Sequence, residues 1–331
     1  MRSGRIVRRG SSGLGLAGIA ALALAAGMCG CRPRDGGQLQ SEGEPYYVLS
    51  PKSLNNPFWD EVKKGMLNAA RELGVRAEFV APVEADAAKQ VAMIEGLLTR
   101  SVDGLAISPN DPESVIDVIA RGRAKGIPVI CFDSDSPNSK RQCYVGTFNK
   151  EAGRRAGELL VSLGPAGGTV LAVSGGAGAL NLNERLAGFR EAIEGSPWRL
   201  VDVRYCNDDM AQATQIIEQY LQAHPDLAAI FGVGMWSVIP GATILKERGL
   251  AGKVMIVGFD VLQEELELVR DGAVQGLVGQ RPVDMGYHAV MALHRLRQQP
   301  EAPAKDIDTG TVVVTAENLA AYLADQGITL P

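Results

Sequence analysis

The sequence predicts an α/β fold of two doubly wound, Rossmann-like domains with parallel sheets. Three observations carry this. Short apolar runs alternate with amphipathic runs along most of the 331 residues, the rhythm of βαβ units. The short runs are apolar on both faces, as strands must be when helices cover a sheet on each side. Beyond its N-terminal leader the chain keeps about 300 residues, enough for two cores.

The elements follow in order. Tyr47-Val48-Leu49 is the first strand, and a helix starts at Pro57, whose fixed φ suits a first turn. Strand Val75–Val80 leads to helix Ala87–Arg100, and Gly104–Ile107 leads to Ser114–Lys125. Strand Pro128–Phe132 precedes helix Ala152–Leu163. Strands Thr169–Ser174, Leu200–Tyr205, Ala228–Val233, Val254–Phe259 and Gln275–Gly279 then alternate with helices Leu180–Glu194, Ala211–Ala223, Pro240–Arg248, Leu262–Arg270 and Met285–Arg297. Gly, Pro and Asp bound the strands, and no repeat at solenoid spacing occurs.

The loop Ser53-Leu54-Asn55-Asn56-Pro57-Phe58-Trp59 follows the first strand. In open α/β sheets the strand carboxyl ends are where ligands bind. Two aromatic rings beside amides suit a sugar, which has apolar C–H faces and hydroxyls that need partners. The alternative is a capped helix whose rings belong to the core.

The N-terminus carries Arg2, Arg5, Arg8 and Arg9, then an apolar run from Leu14 to Gly27. That is a secretory signal pattern, too short for a comfortable membrane span. Residues 1–30 are expected to be a signal peptide, with lipidation at Cys31 after Gly30, although Met28 fits a lipobox poorly; cleavage near Gly27 or Gly30 is the alternative. Residues 31–45 then form a Gly-, Gln-, Ser- and Glu-containing tether. Removing the leader takes Lys+Arg from 33 to 29 against 38 Asp+Glu, so net charge moves from −5 to −9. Such an acidic protein is a poor partner for nucleic acid. Beyond the lipidation candidate Cys31 three cysteines remain, Cys131, Cys143 and Cys206; the odd count argues against a disulfide framework, though Cys131 and Cys143 could pair in an oxidising envelope.

Several motifs, taken together in order, resemble the periplasmic sugar-binding proteins of the ribose-binding type. They are Leu54-Asn-Asn-Pro-Phe-Trp59, Asp103-Gly-Leu-Ala-Ile-Ser-Pro-Asn-Asp111, Gly126-Ile-Pro-Val-Ile-Cys-Phe-Asp133, Asn183-Glu-Arg-Leu-Ala-Gly-Phe189, His224-Pro-Asp226 and Val257-Gly-Phe-Asp260, within about residues 46–315. The resemblance implies a type I periplasmic binding protein: two α/β lobes joined by a three-crossing hinge, with a sugar clamped between them. Residues 46–147 plus 281–308 would form the first lobe and 148–280 plus 309–331 the second. It also implies delivery to an ABC transporter permease from the periplasm or cell envelope, by a monomer without cofactor.

The candidate ligand residues are Asn56, Phe58, Trp59, Asp133, Arg185, Trp236, Asp260 and Gln280. Asp133 and Asp260 end apolar strands, where a carboxylate can accept sugar hydroxyls or cap the next segment. A guanidinium at Arg185 can fork onto adjacent hydroxyls or pair on the surface with Glu184 or Glu191. Gln280 offers donor and acceptor at a hinge. Trp236 stands where the family often has an asparagine, and is either a cleft ring or helix–sheet core. Ser134 replaces the arginine usual beside the strand-four aspartate, which puts plain ribose in doubt. Asn207, Asp208 and Asp209 either line the cleft lip or cap the next helix. The Gly175-Gly-Ala-Gly178 loop lacks the Gly-Lys-Ser/Thr ending of a phosphate cradle. His224, His288 and His294 show no metal or catalytic spacing, so an enzyme is not expected. A glycosidase using Asp133 and Asp260 and a receptor feeding a signalling partner are the rival readings.

Overall fold

The computed structural model describes residues 43–331. The expected signal peptide, the Cys31 lipidation site and nearly all of the tether lie outside the described residues.

Strands β1 (Tyr46–Ser50), β2 (Arg76–Phe79), β3 (Gly104–Ile107), β4 (Val129–Phe132), β5 (Tyr144–Gly146) and β11 (Ile307–Asp308) form one sheet. Its order is β11-β5-β4-β3-β1-β2 and every pairing is parallel. A second sheet has the order β12-β10-β9-β8-β6-β7. It comprises β6 (Gly168–Ser174), β7 (Trp198–Tyr205), β8 (Ala229–Gly232), β9 (Met255–Phe259), β10 (Gly276–Gly279) and β12 (Val312–Thr315). Only β12 runs antiparallel, against β10. The expected α/β class with two parallel-strand sheets is what forms; the inner strands β3, β4, β8 and β10 are buried on both faces, while the outer β2 and β7 are partly exposed.

Helix α1 (Phe58–Leu73) and helix α9 (Pro282–Gln298) cover one face of the first sheet; α2 (Ala87–Leu97) and α3 (Ile116–Ala124) cover the other. The pleat sorts the side chains. Tyr47, Leu49, Ile130, Phe132 and Cys143 enter the core under α1 and α9. Val48, Leu105, Ile107, Val129 and Cys131 enter the opposite core. Cys131 and Cys143 therefore face opposite sides of the sheet and stay free thiols. The second sheet is covered by α4 (Asn149–Leu163), α5 (Leu180–Ile193), α6 (Met210–Ala223), α7 (Met235–Glu247), α8 (Gln263–Arg270) and α10 (Leu319–Gln326). Among the described residues the chain passes between the sheets three times: after β5, after β10 and between β11 and β12.

Some expectations are corrected. Helix α7 begins at Met235, not at Pro240, which stands inside it. Proline suits a first turn, but here extended Gly234 makes the entry and its carbonyl accepts from both N and Oγ of Ser237. Helix α4 begins at Asn149 instead of Ala152. The short strands β5, β11 and β12 and helix α10 were not separately expected; β11 has two residues, too few for a periodic signal.

Candidate functional site

Among the described residues, the positive-φ residues other than glycine are Asp133 (φ 58), Asn207 (φ 52), Asp208 (φ 60) and Asp260 (φ 78). All follow the carboxyl ends of strands: β4, β7 and β9. A non-glycine residue in this region costs roughly 1–2 kcal/mol, so surrounding structure must hold it there.

Asp133 is 3% exposed. Its Oδ2 accepts from Ser108 Oγ at 2.6 Å, and Asn181 Nδ2 approaches both carboxylate oxygens at 3.5 Å. It caps no helix. Asp260 Oδ1 accepts from Gln280 Nε2 at 2.8 Å, and Oδ2 accepts from Met235 N at 3.3 Å. Burial pushes the Asp260 pKa up, while Arg185, Gln280 and the Met235 N–H pull it down. Gln280 Oε1 in turn accepts from Thr147 Oγ1 at 3.0 Å, tying two of the inter-sheet passages together.

Arg185 is fully enclosed at 1% exposure. Its Nε donates to Asn149 Oδ1 at 2.9 Å and Nη1 to the Val233 carbonyl at 3.0 Å. The guanidinium lies 4.2 Å over the Phe259 ring, and Nη2 has no partner. Burial lowers its pKa and Asp260 and Asp133 raise it. The surface alternative is excluded: Glu191 pairs with Lys150 instead. Helix α5 reaches this depth because α4 presents Gly153, where a Cβ would fall 2.0 Å from the Arg185 carbonyl.

The aromatic candidates have mixed placements. Trp59 meets Phe58 and Phe132 edge-on, with centroids 5.1 and 6.0 Å away, so its body is core. Its Nε1 is nevertheless buried without a partner, as is that of Trp236. Phe58 lines a cavity of about 600 Å³ that also reaches Asp260 and Gln280. Asn56 spends its Oδ1 on the Phe58 N–H at 3.0 Å, opening α1. Trp198 lies at the amino end of β7, with Nε1 donating to the Gly164 carbonyl at 2.7 Å. Another cavity, of about 630 Å³, lies beside that residue and touches none of the candidates.

The candidate site draws buried polar side chains from both sheets, and residues 47–301 match the periplasmic binding protein domain. The chain belongs to the periplasmic binding protein family. It is 30% identical over 250 residues to the D-allose-binding periplasmic protein of Escherichia coli, covering 72% of this chain and 80% of that one. It is 27% identical to the ribose import binding protein of Bacillus subtilis, over 74% of this chain and 79% of that one. An ABC transporter solute-binding protein from Burkholderia graminis, solved with D-arabinose, is 39% identical with a TM-score of 0.81. That match covers 84% of this chain and 97% of the other.

This periplasmic binding protein holds further cleft residues that sequence reasoning missed. Lys52 is 4% exposed and donates from Nζ to Asn181 Oδ1 at 2.7 Å, linking the loop after β1 to the start of α5. Burial lowers the Lys52 pKa, opposed by Asp133 and Asp208. Asn149, at the start of α4, orients Arg185. Asp208 was read as lip or cap; the cap of α6 is its neighbour Asp209, which accepts from Gln212 N at 2.8 Å. Asp135, beside Asp133, is taken by Arg141 at 2.6 Å. His294 bonds Tyr47, His224 stacks on Tyr220 and His288 packs on Tyr287.

Proposed function

We propose that the protein captures a monosaccharide between two lobes outside the cytoplasm and delivers it to an ABC importer. The observation that carries this is a set of incompletely satisfied polar groups contributed from both sheets: buried Asp133 and Lys52 from one side, buried Arg185 and Asp260 and half-buried Asp208 from the other. Among the described residues, Arg185 Nη2, Asp208 Oδ1 and the indole N–H groups of Trp59 and Trp236 have no protein partner. A buried polar group without a partner costs about 1–3 kcal/mol, which a polyhydroxylated ligand relieves. Three aspartates against two cations favour a neutral ligand over an anion. The D-allose and ribose names of relatives and the D-arabinose complex support a monosaccharide.

In this reading Asp133, Asp260 and Gln280 accept or share hydroxyls, Arg185 forks onto two of them, and Asn56, Phe58, Trp59 and Trp236 complete the walls. Residues 46–147 plus 281–308 form one lobe, and 148–280 plus 309–331 the other. Sugar favours the closed arrangement because only there does it touch both lobes. No group in the cleft is assigned a catalytic step. Export with a lipid on Cys31 and a monomeric state belong to the same proposal.

A thermal-shift screen tests it, with monosaccharides, metal ions and nucleotides as separate arms. At least one neutral monosaccharide should raise the melting temperature. A shift with nucleotides or metals alone would overturn the reading.

A further inference from the structure

Asp133 and Asp260 both follow a strand end in left-handed backbone, at φ 58 and φ 78, but they are held differently. The Asp260 carboxylate is gripped by Gln280 Nε2 at 2.8 Å and Met235 N at 3.3 Å. The Asp133 carboxylate has Ser108 Oγ at 2.6 Å, and besides it only the Asn181 amide at 3.5 Å. The direction of the Asp133 side chain therefore depends on its backbone, which sits in a region disfavoured for any residue with a Cβ. Such a conformation persists only where its surroundings enforce it.

Tyr144, the first residue of β5, does the enforcing. Asp133 N donates to the Val145 carbonyl at 3.0 Å. The Asp133 carbonyl accepts from the Tyr144 hydroxyl at 2.8 Å, with Asn149 Nδ2 further off at 3.5 Å. Among the described residues no backbone N–H reaches that carbonyl. The hydroxyl has one proton to give, and the Thr147 carbonyl also lies within reach at 2.9 Å. Asn149 Nδ2 already serves Thr147 at 2.9 Å, so the proton belongs to Asp133. Gly146 makes the approach possible, since a Cβ there would overlap the Tyr144 hydroxyl. The same cluster reaches the second sheet: Asn149 Nδ2 lies 3.3 Å from the Tyr144 hydroxyl, and Asn149 Oδ1 accepts from Arg185 Nε at 2.9 Å.

We propose that Tyr144 is a positioning residue for ligand capture: its hydroxyl clamps the Asp133 carbonyl and so aims the Asp133 carboxylate at the sugar, without touching the sugar itself. The role rests on the monosaccharide-capture reading.

The test is calorimetric titration of wild type, Tyr144→Phe, Asp133→Ala, Asp260→Asn and the two double variants that combine Tyr144→Phe with each aspartate change. The probe is whichever of D-ribose, D-allose, D-arabinose, D-xylose and D-galactose binds wild type tightest. Tyr144→Phe should weaken that sugar by about tenfold. In the Asp133→Ala background it should cost almost nothing further, and in the Asp260→Asn background it should cost its full factor. Replacing Tyr144 by 4-aminophenylalanine, which restores a donor, should recover wild-type affinity; 4-fluorophenylalanine, which restores only the bulk, should not. A crystal structure of ligand-free Tyr144→Phe should show the Asp133 carboxylate displaced from Ser108. Equal losses in both aspartate backgrounds, recovery with the fluoro side chain, or an unmoved Asp133 would overturn the positioning role. If wild type binds no monosaccharide, the capture reading fails and this role fails with it; wild-type binding with an insensitive Tyr144→Phe sinks the role alone. Should Tyr144→Phe not fold, the 4-fluoro side chain takes its place in every comparison.

Discussion

Arg185→Met keeps an unbranched apolar stem and removes the charge buried among Asn149, Val233 and Phe259. Asn149 Oδ1 and the Val233 carbonyl each lose a bond, of 2.9 and 3.0 Å, and the cation over Phe259 disappears. Each abandoned buried acceptor costs about 1–3 kcal/mol. The desolvation penalty of the guanidinium is recovered, so the terms do not simply add; breaking a buried charge network typically costs about 3–5 kcal/mol. At roughly 2–4 °C per kcal/mol for domains of this size, the melting temperature should fall by about 6–20 °C. Sugar affinity should fall about 10- to 100-fold. The pH dependence separates this account from simple loss of packing. Burial raises the Asp260 pKa above its ordinary 3.8 and Arg185 opposes that rise, so removing Arg185 lets it climb further. A carboxylate with a raised folded pKa contributes stability at low pH that is lost as pH rises through the folded value. Differential scanning calorimetry should therefore find a smaller deficit near pH 5 than near pH 7.5. A deficit equal at both, or larger in acid, would refute the electrostatic reasoning.

Glu265 is 0% exposed with Oε1 unpartnered, and burial, then Asp260, raises its pKa well above 4.5. The same sign applies: stability should decline as pH rises above 4.5, and Glu265→Gln should raise the melting temperature near pH 7.5 and flatten that decline; a lower melting temperature there would contradict this. Saturating sugar should change tryptophan fluorescence through Trp59 and Trp236. Trp198→Phe should keep the change and Trp59→Phe should diminish it, and the reverse pattern would misplace the cleft. Mass spectrometry of the native N-terminus should find a lipid on Cys31; an unmodified terminus beyond it would mean a soluble exported form.

The two-sheet architecture was legible because nearly every strand is a short run of apolar residues ended by Gly, Pro or Asp. The position of Asp133, Asp260 and Gln280 just past strand carboxyl ends was legible for the same reason: each is the polar residue that closes such a run. Lys52 was not, since a lysine in a polar loop reads as solvated and its acceptor, Asn181, lies 129 residues away. Asp208 was ambiguous because three polar residues after β7 all resemble caps, and only the backbone distinguishes Asp209 from the one that turns inward. The start of α7 was missed because Pro240 carries a strong local preference that Gly234 and Ser237 override. Trp59 stands between the two alternatives: its ring packs in the core, while its N–H has no hydrogen-bond partner among the described residues.

The central claim is that one sugar is held by carboxylates at the ends of β4 and β9. Calorimetric titration of wild type, Asp133→Ala and Asp260→Ala with the monosaccharide that most stabilises the protein tests it most directly. The account predicts one sugar per chain, with affinity reduced about tenfold or more in each variant, since charge-assisted hydrogen bonds contribute about 1.5–3 kcal/mol. Wild-type affinity in both variants, or no monosaccharide binding by the wild-type chain, would contradict it.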